Sequence, residues 1–160
     1  MRERTPEQHV REFMDRYDPA VSRVAKAART KLRRLLPGAL ELVYDNYNAL
    51  AIGFSPTESA SDVIASIALY PRWVSLFLMR GAVLPDPELV LRGSGSRVRH
   101  IVLESAAVLD TAPVRALVEV ARATHPKALP RQTRRTIIKS VSKKQRPRRS
   151  GASRGRRTRR

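Results

Sequence analysis

Three groups of residues in this chain have the types and spacing to do chemistry. The first is Gly93-Ser94-Gly95-Ser96, ahead of Arg97, Arg99 and His100. A glycine-rich turn can present backbone N–H groups to a phosphate, and flanking guanidiniums add charge-assisted hydrogen bonds. Phosphate loops normally open a helix, whereas this one opens a strand, so a turn that only glycine tolerates competes with the anion reading. The second group is Tyr44, Asp45, Asn46 and Tyr47, which with Arg72 and Trp73 makes a candidate rim for a small anionic or polar ligand. Asp-Asn is also ordinary turn chemistry, and Tyr70 and Trp73 around Pro71 read as core aromatics. The third group is the stretch Ser142 to Arg160, with ten Lys or Arg and no acid: Lys143, Lys144, Arg146, Arg148, Arg149, Arg154, Arg156, Arg157, Arg159 and Arg160. Its natural partners are nucleic acid or another polyanion, held by phosphate contacts without sequence preference.

Other chemistries find little support. There is no cysteine, so disulfides, thiolate zinc sites and cysteine nucleophiles are excluded. The histidines are His9, His100 and His125, far apart in sequence, and no metal set or cofactor is expected from them. Alternation puts His100 on the face of Val98 and Val102, opposite Ile101 and Leu103, where a lone histidine reads as a hydrogen-bonded structural residue. Ser59, Ser61 and Ser66 have no His–Asp pair at a useful spacing, and no Gly-x-Ser-x-Gly elbow occurs. Nothing makes an enzyme the default.

The charge is uneven. Of 32 basic residues, fifteen lie from Lys127 onward with none of the 14 acids, so the first 126 residues carry a formal net charge of only +3 out of +18. The 160 residues suit one domain, expected over 1–141, and a disordered cationic tail over 142–160, since such a run has too little apolar surface to offset its ordering entropy. Removing the tail after Ser142 is expected to leave the fold intact. No apolar run approaches the roughly 20 residues of a membrane span, and MRERTPEQHVRE lacks an apolar signal core. A soluble cytoplasmic protein without a membrane partner is the expectation.

The elements that must position these groups follow from periodicity. Thr5-Pro6-Glu7-Gln8 is a capping box with proline at the first helical position, followed by Val10, Phe13, Met14 and Tyr17 on one face. Asp18-Pro19 starts a second helix with Val21, Val24, Ala25, Ala28, Leu32, Leu35 and Leu36 inward. Arg23, Lys26, Arg29, Arg33 and Arg34 fill the opposite, solvated face, a second candidate phosphate contact. After Pro37-Gly38 the period becomes 2, predicting strands at Leu40 to Tyr44, Leu50 to Phe54, Asp62 to Tyr70, Trp73 to Met79 and Val98 to Glu104. Asp86-Pro87 predicts a short helix through Leu91, Thr111 or Asp110 a helix ending before Pro126, and Arg135 to Val141 a last strand. The sum is an α+β domain: a single antiparallel sheet packed by N-terminal and C-terminal helices, with the strands at Val63 to Leu69 and Val74 to Met79 central.

Several of these motifs resemble a known family as a set. Pro37-x-Ala39-x-Glu41, Tyr70-Pro71-Arg72-Trp73-Val74-Ser75-Leu76, Gly93-Ser94-Gly95 and Arg99-His100-Ile101 are similar to the bacterial YdhG-like domain family, over Tyr17 to Ala121. A subgroup also shares VYDNYNAL and an IKS-type strand with a basic end, here Ile138 to Arg149, whereas many members have a Gly-Met-Pro-like turn where this chain has Asp45-Asn46-Tyr47. The resemblance implies a small α+β fold. One relative is a frataxin-like iron chaperone, which implies an oxygen-ligand iron site with Glu7, Glu12, Asp15, Asp18, Glu41 and Asp45 as candidates.

Overall fold

Thr5 opens the first helix as its sequence demands. The Thr5 hydroxyl accepts the Gln8 N–H at 3.1 Å, and the Gln8 side chain accepts the Thr5 N–H at 2.8 Å. The computed structural model describes residues 3–131 and 134–153. Helix α1 spans Pro6–Asp15 and α2 spans Pro19–Leu35. Strands β1 (Leu40–Asp45), β2 (Leu50–Ser55), β3 (Ala65–Leu69), β4 (Val74–Leu78) and β5 (Arg99–Leu103) then form an antiparallel meander. Helix α3 covers Ala112–Ala123, and β6 covers Thr136–Val141. Among the described residues no helix is long and apolar enough to cross a membrane.

The six strands make one sheet in the order β5-β4-β3-β2-β1-β6. The sheet is mixed, which corrects the expectation of an all-antiparallel one, because β6 lies parallel to β1. A strand that returns through a helix and a long crossover can enter parallel, whereas a tight turn cannot produce that geometry. The pairing carries a bulge: Val43 faces Ile138, but Tyr44 faces Ser140, leaving Lys139 as the extra residue. Of the two strands expected to be central, β3 is, while β4 lies one strand from the edge.

Strand alternation sorts the sheet residues onto two faces. Val43, Ile52, Ile67, Leu76 and Ile101 form one cross-sheet row under the helices, continuous with Val10, Phe13, Ala25, Ala28, Leu32 and Leu117 in the main core. On the other face Leu40 and Leu42 join Val63 in a smaller cluster, flanked by Tyr44, Met79 and Ile137. The apolar stripe predicted for α2 is the buried one, with Val24 and Leu35 at its margin.

Two local expectations fail for physical reasons. Asp86 does not start a helix. Its carboxylate accepts the N–H groups of Val90 and Leu91, both at 2.9 Å, closing a loop in which Leu89 takes a left-handed backbone (φ 55°). The stretch before β3 is not yet strand: Ala60–Asp62 is a 3-10 turn, with Ser59 accepting from the Ser61 N–H.

Gly81, in the 3-10 turn Gly81–Val83, lies against β5, where an added Cβ would sit 2.5 Å from the Arg99 Cβ and 3.0 Å from its backbone nitrogen. Gly81→Ala should therefore lower stability by about 1–3 kcal/mol through overpacking. Urea denaturation reads this, and an unchanged midpoint would mean the turn shifts freely.

Candidate polyanion-binding end of the sheet

The arginines of α2 are not one solvated face. Arg29 and Glu41 are buried, and Arg29 Nε donates to Glu41 Oε1 at 2.8 Å. The two terminal nitrogens of Arg29 donate to the two oxygens of Glu7, both at 2.9 Å. Arg33 closes the network, with Nε to Glu41 Oε2 at 2.5 Å and Nη2 to Glu41 Oε1 at 3.0 Å. Such bidentate pairs satisfy most lone pairs of a carboxylate that has lost its water. Burial works to raise the Glu7 pKa, but the bonds and charges of Arg29 and Arg33 outweigh it and hold Glu7 below its ordinary value. Arg33 is opposed by burial and raised by Glu41 and Glu7. Arg29 and Arg33 are thus neutralised by acids. Arg23 and Arg34 stay exposed, while Lys26 reaches Asp15 at 2.5 Å.

Asp45, at the other end of β1, is the second buried acid. It meets Arg148 Nη2 at 3.0 Å and Arg16 Nη1 at 3.4 Å. Arg148 is itself buried, lies over the Tyr17 ring with its guanidinium carbon 5.5 Å from the centroid, and donates to the carbonyls of Asn46 and Tyr47. This corrects the disordered reading of the tail for its first part. Ser142 N–H donates to Asp45 O, Gln145 Nε2 to the same carbonyl, Arg146 N–H to Tyr47 O, and the Ser150 hydroxyl to Asp18. Composition failed here because few contacts hold this strap, and they are polar: a strand edge to extend, two turn carbonyls and one buried carboxylate. Arg154, Arg156, Arg157, Arg159 and Arg160 lie outside the described residues.

Tyr17 connects the two halves of this end. Its hydroxyl accepts the Leu50 N–H at 3.1 Å. Burial, aided by the Asp45 charge, pushes its pKa up to about 12, against the opposing pull of Arg148, the Leu50 bond and Arg16. A phenol raised in the folded state contributes stability that is whole below its unfolded pKa of about 10 and is lost as pH rises through the folded value. Urea midpoints should therefore fall between pH 10 and about 12, and Tyr17→Phe should reduce that fall. Equal slopes in the two proteins would reject the role of Tyr17.

The candidate ligand residues do not share one pocket. Asp45, Leu50, Leu69, Val74 and Leu103 form one terminal row of the sheet, and Glu41, Phe54, Ala65, Leu78 and Arg99 form the opposite one. The Tyr44 to Tyr47 turn and the Arg72–Trp73 turn are at the Asp45 end. Gly93, Gly95, Arg97 and Arg99 are at the other, and β5 is four strand spacings, about 19 Å, from β1. At the glycine loop Arg99 donates to the carbonyls of Gly95 and Val98, at 2.5 and 3.0 Å. Gly93 takes φ 117°, which favours glycine. The loop therefore turns carbonyl oxygens toward the guanidinium. His100 faces away from the helices, 5.5 Å from the Phe77 ring, as alternation with Ile101 predicts. Tyr44 is on the same outer face. Its hydroxyl is buried without a hydrogen-bond partner among the described residues, and burial raises its pKa.

What the Asp45 end does bring together is cations. Lys143 and Lys144 are exposed and have no acidic partner among the described residues. Arg146 lies over the Tyr47 ring, 5.7 Å from its centroid. Arg149 donates to the carbonyls of Arg16 and Asp15, at 3.1 and 3.2 Å, so it keeps its full charge. Arg149 also shares a surface depression with Arg23 and Lys26 of α2. The acids proposed for iron are each engaged: Glu12 with Arg4, Asp15 with Lys26, Asp18 with Ser150, Glu7 and Glu41 with Arg29 and Arg33, and Asp45 with Arg148. Among the described residues no three His, Asp or Glu form a group that could hold a metal ion.

Arg29 lies four residues from Ala25 on the buried stripe of α2, and Glu41 alternates with Val43; those spacings are the signal that could have exposed their burial. Arg148 carried no comparable periodic signal. No family model, no curated protein and no solved structure matches this chain.

Proposed function

We propose that this chain is a polyanion-binding module, a YdhG-like α+β domain whose basic C-terminal segment is carried on a fixed base and binds nucleic acid through phosphate contacts. One observation carries this reading. The strap from Ser142 to Ser150 is held by buried Arg148, while Lys143, Lys144, Arg146 and Arg149 at the surface have no carboxylate partner among the described residues. The YdhG-like label rests on the motif set and on the α+β order of helices and strands. The iron-chaperone alternative is disfavoured by the ion pairs that engage its candidate acids.

The test is salt dependence. The full chain should bind a nucleic acid at low salt and lose affinity steeply as salt rises, with a slope of roughly −0.7 to −0.9 per phosphate neutralised. Replacing Lys143, Lys144, Arg146 and Arg149 with Gln should reduce the slope by roughly 3 if each contacts one phosphate. An unchanged slope would remove the strap from the interface, and no binding at low salt would reject the reading.

A further inference from the structure

The Asp45 end also carries the two exposed aromatic rings of its hairpin turns. Tyr47, in the β1–β2 turn, is 47% exposed, and Trp73, in the β3–β4 turn, is 45% exposed. In an antiparallel meander these turns are two strand spacings apart, about 10 Å. Trp73 stacks on Tyr70, with ring centroids 4.7 Å apart and planes 18° from parallel, so the indole is held by its own hairpin. Tyr47 is anchored at its backbone, where its carbonyl accepts the Arg146 N–H at 2.9 Å. Neither ring is needed to fill the core.

The surface between and beside them is basic. Arg146 covers Tyr47, and Arg72 precedes Trp73. Trp73 lines a groove of about 300 Å³ with Val21, Val24, Arg72, Val102 and Glu104. Arg23, one residue before Val24, continues to the depression it shares with Arg149. Glu104 lines the groove and Asp15 the depression. Asp15 is engaged by Lys26, and the neighbouring Asp18 by Ser150.

We infer that this end binds single-stranded nucleic acid, with unpaired bases stacking on Tyr47 and Trp73 while the strap and Arg23 and Arg72 contact phosphates. The inference deepens the polyanion reading and rests on it. Bases of a single strand expose their faces, and base–aromatic stacking tolerates any sequence. A duplex hides those faces, so cations alone would not distinguish it from other polyanions.

The chain has a single tryptophan, so its fluorescence reports directly on Trp73. Titrate the full chain at fixed salt with a short oligothymidylate, its duplex with oligoadenylate, and inorganic polyphosphate. The oligothymidylate should quench the emission and bind more tightly than the other two. Tyr47→Ala and Trp73→Ala, the latter followed by anisotropy of a labelled oligonucleotide, should each weaken it by about 5- to 150-fold and leave polyphosphate affinity and the salt slope unchanged. Trp73→Phe, which retains a ring, should keep more of the affinity than the alanine variant. If all three ligands bind alike without quenching, stacking is rejected while the polyanion reading stands. If none binds at low salt, both fall.

Discussion

Arg29→Ala should cost about 3–5 kcal/mol, a large effect for a single charged residue. The substitution removes a guanidinium that bridges Glu41 and Glu7, leaving the buried Glu41 to Arg33 and, at 3.9 Å, Arg134. The penalty comes less from lost attraction than from an incompletely compensated carboxylate in a dry site. For a chain of this size the melting temperature should drop by roughly 10 °C. The double variant Arg29→Met with Glu41→Leu removes both buried charges. It should recover most of the loss, since apolar replacement of a whole buried pair is often neutral or better. Glu7 is then left half-exposed with Arg33 Nη2 at 3.3 Å, where water and that guanidinium compensate its charge. A loss below about 1 kcal/mol for Arg29→Ala would mean that water reaches Glu41.

Ending the chain after Ser142 should destabilise the fold by roughly 3 kcal/mol, where composition alone predicted no effect. The cut removes Arg148 from Asp45, leaving that buried acid with Arg16 at 3.4 Å, and strips the Asn46 and Tyr47 carbonyls of their guanidinium donor. Arg148→Ala in the full chain should account for most of the loss. Asp45→Asn should be costly in the full chain but should partly rescue the shortened one, because the uncompensated charge is gone. Thermal melting of the full and shortened chains, each with and without Asp45→Asn, gives the cycle. Equal melting temperatures for the full and shortened chains would show that the strap contributes nothing to stability.

The legible parts of the fold were those where one local rule sufficed. Thr5 and Gln8 form their box from spacing alone, and Val21, Ala25, Ala28 and Leu32 face the core because 3.6-residue periodicity leaves no alternative. Alternation also put His100 opposite Ile101. What could not be read was pairing across long separations. The direction of β6 depends on where a crossover lands, and Asp45 meets a residue 103 positions away. The site suffered most from this. Tyr44, Asp45 and Arg72 are close to one end of the sheet and Arg97, Arg99 and His100 belong to its other end or far edge, a division that only strand register reveals. Charge misled in a second way. Lys and Arg were read as solvent-facing, yet Arg29 and Arg148 are among the buried side chains, each because a buried acid faces it.

The separation between Asp45 and Arg148 also sets an order of events during synthesis. Arg29 and Arg33, the partners of Glu41 that come from α2, leave the ribosome before it, so that carboxylate can be neutralised as soon as β1 emerges. Asp45 has Arg16 behind it but waits for Arg148, 103 residues later. At ribosomal rates of about 5–20 residues per second, that interval is roughly 5–20 s. Through most of it the outer edge of β1 also lacks β6, so the nascent chain presents an unpaired strand beside a half-compensated acid. The strap that anchors the basic segment is therefore also the piece that completes the domain, and translation itself times when its open edge closes.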